Sequence, residues 1–87
     1  MELTDAARMI MAESAPFPEL ARVSQGAYDE LAADRPVHHS ALTWMIREAC
    51  RKDLYGALIR KHGGDAFEDM VTVICREIDR QAPVLSR

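Results

Sequence analysis

Apolar residues recur at steps of three and four along most of the chain, with polar residues between them. This spacing is typical of amphipathic helices, and no segment alternates with the period of two that marks a strand. The pattern predicts helices at residues 4–13, 18–33, 40–62 and 66–81. We therefore expect an all-α fold: a small bundle of three main helices plus a short N-terminal helix, with no sheet.

The residues that flank these segments are typical of helix ends. Ser40 is the predicted N-cap of the third helix, because its hydroxyl can accept from a free backbone N–H. Gly63 and Gly64 are predicted to end that helix, since glycine readily takes the left-handed conformation found there. Pro83 is predicted to end the fourth helix and to leave a frayed tail at 83–87.

The third predicted helix carries more apolar surface than one face needs. Leu42 and Met45 define one face, and Leu54 and Leu58 lie about 120–160° further round the helix. A third apolar group lies almost opposite the first and consists of Trp44, Tyr55 and Ile59. A helix that is apolar all round is either buried or covered by a partner.

Two interpretations of this helix stay open. In the first it is the central helix wrapped by the other three, or it bends near Gly56 and each half buries its own face. In the second the aromatic side is an exposed patch that docks a partner protein or a second copy of the chain, because Trp, Tyr and Arg are enriched at binding hot spots. The candidate partner-binding residues are Trp44, Arg47, Arg51, Lys52, Tyr55 and Ile59.

The charge distribution points to the same segment. The 87 residues carry a net charge of −3, which argues against a protein that depends on a broad basic surface for nucleic acid. However, residues 40–63 hold 5 bases and 2 acids, whereas residues 1–39 hold 3 bases and 7 acids. The basic segment favours a partner with an acidic surface.

Residues 31–47 loosely resemble a helix-turn-helix DNA-binding motif. Val37 would lie in the turn, and Leu42 and Met45 would be buried. The groove-facing residues would be His38, His39, Ser40, Thr43, Trp44 and Arg47. The sequence departs from the motif where Pro36 replaces the usual turn glycine and where Arg35 replaces a buried apolar residue. The predicted recognition helix is also unusually long.

The chain shows no pattern typical of catalysis or of cofactor binding. Cys50 and Cys75 do not form the dense framework of disulfide-rich domains, and each lies in a helical pattern that predicts a buried structural thiol. His38 and His39 are adjacent and lack the paired ligands of a zinc site. We expect no catalytic residue, no metal site, no cofactor and no enzymatic activity.

Length and composition predict one helical domain over residues 1–87, with no signal peptide and no membrane span. Two cysteines and no leader suggest a reducing cytoplasm. We therefore expect a small non-catalytic regulator, inhibitor or adaptor that acts by protein–protein interaction. A second copy of the chain is also a candidate partner, which would make the protein a homodimer. The alternatives are a DNA-binding transcriptional regulator and a non-catalytic auxiliary subunit of an enzyme.

Overall fold

The computed structural model describes residues 1–85, with the side chains of residues 1–81. It contains five α-helices, namely α1 (Leu3–Glu13), α2 (Pro18–Ala32), α3 (His39–Ala49), α4 (Lys52–His62) and α5 (Gly64–Leu85). No strand occurs in this part of the chain, so the all-α prediction is confirmed. The predicted number of helices was wrong, because the segment 40–62 forms two helices.

The third predicted helix breaks at Cys50 and Arg51. Cys50 caps the C-terminus of α3, and Arg51 is extended (φ −68°, ψ 146°) before α4 begins. Leu42 and Leu58 would point in different directions on one continuous helix, yet both are buried in the same core. The break changes the direction of the chain, so that the apolar face of α3 and the apolar face of α4 both pack into that core. Each half does bury its own face, but the bend is not at Gly56.

The fourth predicted helix is longer than the pattern indicates. Its helix, α5, begins at Gly64 rather than at residue 66, and it continues through Pro83 to Leu85. A proline inside a helix removes one backbone hydrogen bond and crowds the carbonyl four residues before it, but its φ is close to the helical value, so the residues that follow can remain helical. The prediction that Pro83 ends this helix is therefore wrong, and residues 86–87 of the predicted frayed tail lie outside the described residues.

The core lies between α5 and the other helices. Helix α5 packs against α1, α3 and α4, while α2 packs against α1 and α3. Phe67, Met70 and Ile74 recur at steps of three and four and are buried, so they form the inward face of α5. The largest fully buried apolar side chains of the other helices are Ile10, Leu20, Leu42, Met45, Leu54 and Leu58.

Among the described residues, no helix combines the length and apolar character needed to cross a membrane. The connection between α4 and α5 is a single residue, Gly63, with a φ of +90°. This backbone conformation strongly favours glycine. The predicted glycine stop after residue 62 is therefore confirmed, and it turns the chain directly into α5.

Candidate functional site

The break between α3 and α4 divides the six predicted partner-binding residues. Trp44 and Arg47 lie on α3, Arg51 lies at the junction, and the other three lie on α4. The structure brings Trp44 and Arg51 to the border of one groove. Tyr55 instead lies against α5, so the residues do not form the single patch that one long helix predicts.

We call this the Trp44 groove. It has a volume of about 350 Å³ and lies where the start of α2 meets α3. Phe17, the N-cap of α2, and Trp44 contribute the aromatic walls, and Glu48 and Arg51 contribute the polar ones. Both aromatic residues are only partly buried, packed against the core without being enclosed by it. An apolar side chain of another molecule could therefore contact both rings.

The inward face of α3 is formed by residues other than Trp44. Leu42, Met45 and Ala49 are all at most 1% exposed and form the inward face of α3. Trp44 lies on the flank of α3 that faces α2. The prediction that it is either core or interface thus receives an intermediate answer, since the indole is half-buried.

The carboxylate of Glu48, at the edge of the groove, forms ion pairs with two arginines, Arg47 and Arg51. Arg51 Nη1 donates a 2.7 Å hydrogen bond to Glu48 Oε2, and Arg47 Nε lies 3.6 Å from Glu48 Oε1. The hydrogen bond to Glu48 raises the pKa of the Arg51 guanidinium. Arg51 Nη2 also lies 3.8 Å from Asp53 Oδ2 in the first turn of α4. Arg51 therefore bridges the ends of both helices as well as bordering the groove.

The remaining candidates lie on α4. Tyr55 is 47% exposed, and its ring meets Phe67 edge-on with 4.8 Å between centroids and 75° between planes. Ile59 is half-buried against the core, and Lys52 is exposed. Tyr55 is the one candidate aromatic residue that is largely open to solvent.

The segment that resembles a helix-turn-helix motif has buried apolar positions, and the arginines that follow it are paired with Glu48. Val37 is 6% exposed within the connection, and Leu42 and Met45 are buried as the motif requires. With 11 residues, α3 is also much shorter than the predicted helix. However, Glu48 is paired with the two arginines nearest to it, which reduces the positive charge that DNA phosphates would meet.

His38 caps a helix, and His62 lies beside an acid without a hydrogen bond. His38, rather than the predicted Ser40, is the N-cap of α3, and its Nδ1 accepts a 3.2 Å hydrogen bond from the Ser40 N–H. His62 Nε2 lies 3.6 Å from Glu13 Oε1, which also lies 2.9 Å from Lys61 Nζ. Within the described part of the chain, no three His, Cys, Asp or Glu residues are placed to hold a metal ion.

The cysteine prediction was wrong for Cys50. Cys50 is exposed and Cys75 is half-buried, and both are free thiols. Cys50 caps α3 at the break, where the helix no longer carries its side chain towards the core. A buried structural thiol was expected because the break itself has no Gly or Pro signal.

Sequence reasoning did not place Phe17 in the candidate site. Phe17 lies at helical spacing from Leu20, Ser24 and Leu31, a pattern that indicates a core position. The signal that could have identified it is the pair of prolines around it, Pro16 and Pro18, which hold the chain in a turn at the mouth of the groove.

Comparison with protein-family models, curated sequences and solved structures gives no match.

Proposed function

We propose that this chain is a small non-catalytic regulator, inhibitor or adaptor that binds another protein through the Trp44 groove. The observation that carries the proposal is the half-buried indole of Trp44, which borders one groove together with Phe17. A large aromatic ring that borders a groove and stays partly open to solvent is the kind of anchor that dominates binding energy at protein interfaces.

The groove favours a partner that presents an apolar side chain to the two rings. Its polar edge adds a preference for hydrogen-bonding groups, because Glu48 and Arg51 border the same space. Arg47 lies 3.6 Å from Glu48 but has a 69% exposed side chain, so it is accessible to an acidic partner surface. Such edge contacts tune specificity and association rate more than affinity.

The test compares baits with different single substitutions, used to capture proteins from the native host. Trp44→Ser removes the proposed anchor, and Trp44→Phe retains an aromatic ring. Tyr28→Ser is the matched control, because it removes another half-buried ring that lies over Arg8, 5.4 Å from its guanidinium carbon. We expect the same partner with wild type, Trp44→Phe and Tyr28→Ser, and its loss with Trp44→Ser.

Folding of each bait is measured by circular dichroism before capture. Loss of the helical signal in Trp44→Ser would identify Trp44 as a core residue and would overturn the proposal. A solution mass of two chains that falls to one chain in Trp44→Ser would identify the partner as a second copy. A captured enzyme would make the chain an auxiliary subunit acting through the same groove.

DNA binding is the second candidate function, favoured by the buried positions of Val37, Leu42 and Met45. Thr43 and Arg47 would then be the exposed side chains closest to DNA. Binding to duplex DNA should weaken steeply between low and moderate salt, because phosphate contacts release counterions. Arg47→Ala should reduce that salt dependence, and an absence of binding at low salt would exclude this function.

A further inference from the structure

Helix α2 packs with one face and leaves an outward face open to solvent. Its inward residues Leu20, Ser24 and Ala27 are buried. At 3.6 residues per turn, the outward face is centred on the exposed Gly26, and four further residues lie within about 40° of it. The side chain of Arg22 is 73% exposed and that of Glu30 is 43% exposed. The four residues are Glu19, Arg22, Glu30 and the C-cap residue Ala33.

A groove of about 280 Å³ lies beside this outward face, between α2 and the segment that enters α3. Val23 and Gly26 line its α2 side, and Val37 and Ala41 line the other side. A Cβ at Gly26 would meet nothing within 4 Å, so packing within the chain does not require a glycine at this position. Glycine is also a poor helix former. Its absence of a side chain lets the backbone of another helix approach α2 closely here.

The charges of the outward face are complementary to each other about Gly26. Arg22 lies four residues before Gly26, and Glu30 lies four residues after it, with Asp29 adding a second negative charge at that end. In two antiparallel α2 helices that cross at Gly26, Arg22 of each copy is level with Glu30 of the other. A parallel pair would instead place Arg22 against Arg22. The outward face is therefore complementary to itself in the antiparallel orientation.

We propose that the outward face of α2 docks against the same face of a second copy of this chain, antiparallel and crossing at Gly26. Within one chain Arg22 lies 2.7 Å from Glu19, and Glu30 lies 2.8 Å from Arg35. Such exposed ion pairs contribute little to the stability of a single chain, so their side chains can rearrange to reach the second copy. The groove beside Gly26 adds apolar surface to the contact. This contact is distinct from the Trp44 groove.

Charge reversal followed by sedimentation equilibrium tests this register. The full chain should form a dimer, whereas Arg22→Glu, and separately Asp29→Lys combined with Glu30→Lys, should each be monomeric, because like charges then face each other at both contacts. An equimolar mixture of the two variants should form a heterodimer, since both contacts are complementary again. Residues 22 and 30 are about 12 Å apart along their own helix, so this recovery cannot arise within one chain. A monomeric wild type, variants that stay dimeric alone, or a mixture that stays monomeric would overturn the proposal.

Gly26→Gln tests the crossing point. It should be monomeric yet remain fully helical by circular dichroism, because glutamine is a better helix former than glycine. Ala32→Gln is the matched control and should stay dimeric, since residue 32 is exposed on α2 about 120° from Gly26. Trp44→Ser should also stay dimeric. A dimer that is lost in Trp44→Ser and kept in Gly26→Gln would place the second copy in the Trp44 groove, which overturns this proposal and leaves the proposed function standing.

Discussion

Arg51 and Glu48 join across the break between α3 and α4, with 2.7 Å between guanidinium nitrogen and carboxylate oxygen. Arg51 itself is extended, and its backbone N–H donates a 3.1 Å hydrogen bond to the Glu48 carbonyl, three residues back rather than four. The side chain of Arg51 thus holds the first helix, while its carbonyl accepts from the Leu54 and Tyr55 N–H groups of the second. Arg51 is therefore both the extended residue at the junction and the residue whose hydrogen bonds connect α3 to α4.

Arg51→Ala should loosen this junction. The amides of Leu54 and Tyr55 should exchange with solvent faster, and the melting temperature should fall by a few degrees. Arg22→Ala is the matched control, because Arg22 makes a 2.7 Å bond to Glu19 within the uninterrupted helix α2. Amide hydrogen exchange makes the comparison, and equal protection of Leu54 in both variants would contradict the role of Arg51.

Ser24 and Ser14 are both fully buried but differ in hydrogen bonding. Ser14 Oγ donates a 2.8 Å bond to the Met11 carbonyl, whereas Ser24 Oγ has no partner among the described residues. Ser24→Ala should therefore stabilise the fold by about 1 kcal/mol, because an unpaired buried hydroxyl is costly. Ser14→Ala should destabilise it by about 1 kcal/mol. Urea unfolding measures both, and opposite signs are the required result.

Two glycines should respond oppositely to alanine. A Cβ at Gly26 would meet nothing within 4 Å, so Gly26→Ala should stabilise α2 by about 0.5–1 kcal/mol. Gly63 has a φ of +90°, so Gly63→Ala should destabilise the protein by about 1–3 kcal/mol. Chemical denaturation tests the pair. A neutral Gly63→Ala would mean that the α4–α5 turn does not need this conformation.

Glu77 should make stability depend on pH in the acid range. Its hydrogen bonds with Arg80 hold the pKa of the carboxyl below its ordinary value of 4.5. The folded form thus binds the proton more weakly than the unfolded form, so this stabilisation is present above about pH 4.5 and is lost as the pH falls through the folded pKa.

The difference in unfolding free energy between wild type and Glu77→Gln should accordingly be largest at neutral pH and should shrink towards pH 3. Arg80→Ala should show the same convergence, because it removes the other half of the pair. A difference that stays constant from neutral to acid pH would show that the carboxylate charge contributes nothing.

The helical pattern predicts the fold better than it predicts the site. The periodicity of Phe67, Met70 and Ile74 correctly identifies the inward face of α5, because burial of a helix stripe is a local pattern. The break at Cys50 has no such local signal. It follows from the need to bury two differently directed faces in one core, which depends on helices distant in sequence.

The same physical reason limits the prediction of the candidate site. Trp44 and Tyr55 share a side only on an unbroken helix, and the break moves Tyr55 to Phe67 on α5. Phe17 joins Trp44 through packing of α2 against α3, a contact that periodicity within either helix does not reveal. The sequence thus predicts which residues are candidates for binding more readily than it predicts which of them lie next to each other in the fold.

The most direct test of the central claim is the dissociation constant of the captured partner for Trp44→Ser and for Tyr28→Ser, each confirmed as folded. If the Trp44 groove is the binding surface, Trp44→Ser should bind about thirtyfold more weakly than wild type, as a hot-spot residue requires. Tyr28→Ser should bind like wild type. Equal dissociation constants for the two folded variants would contradict the claim.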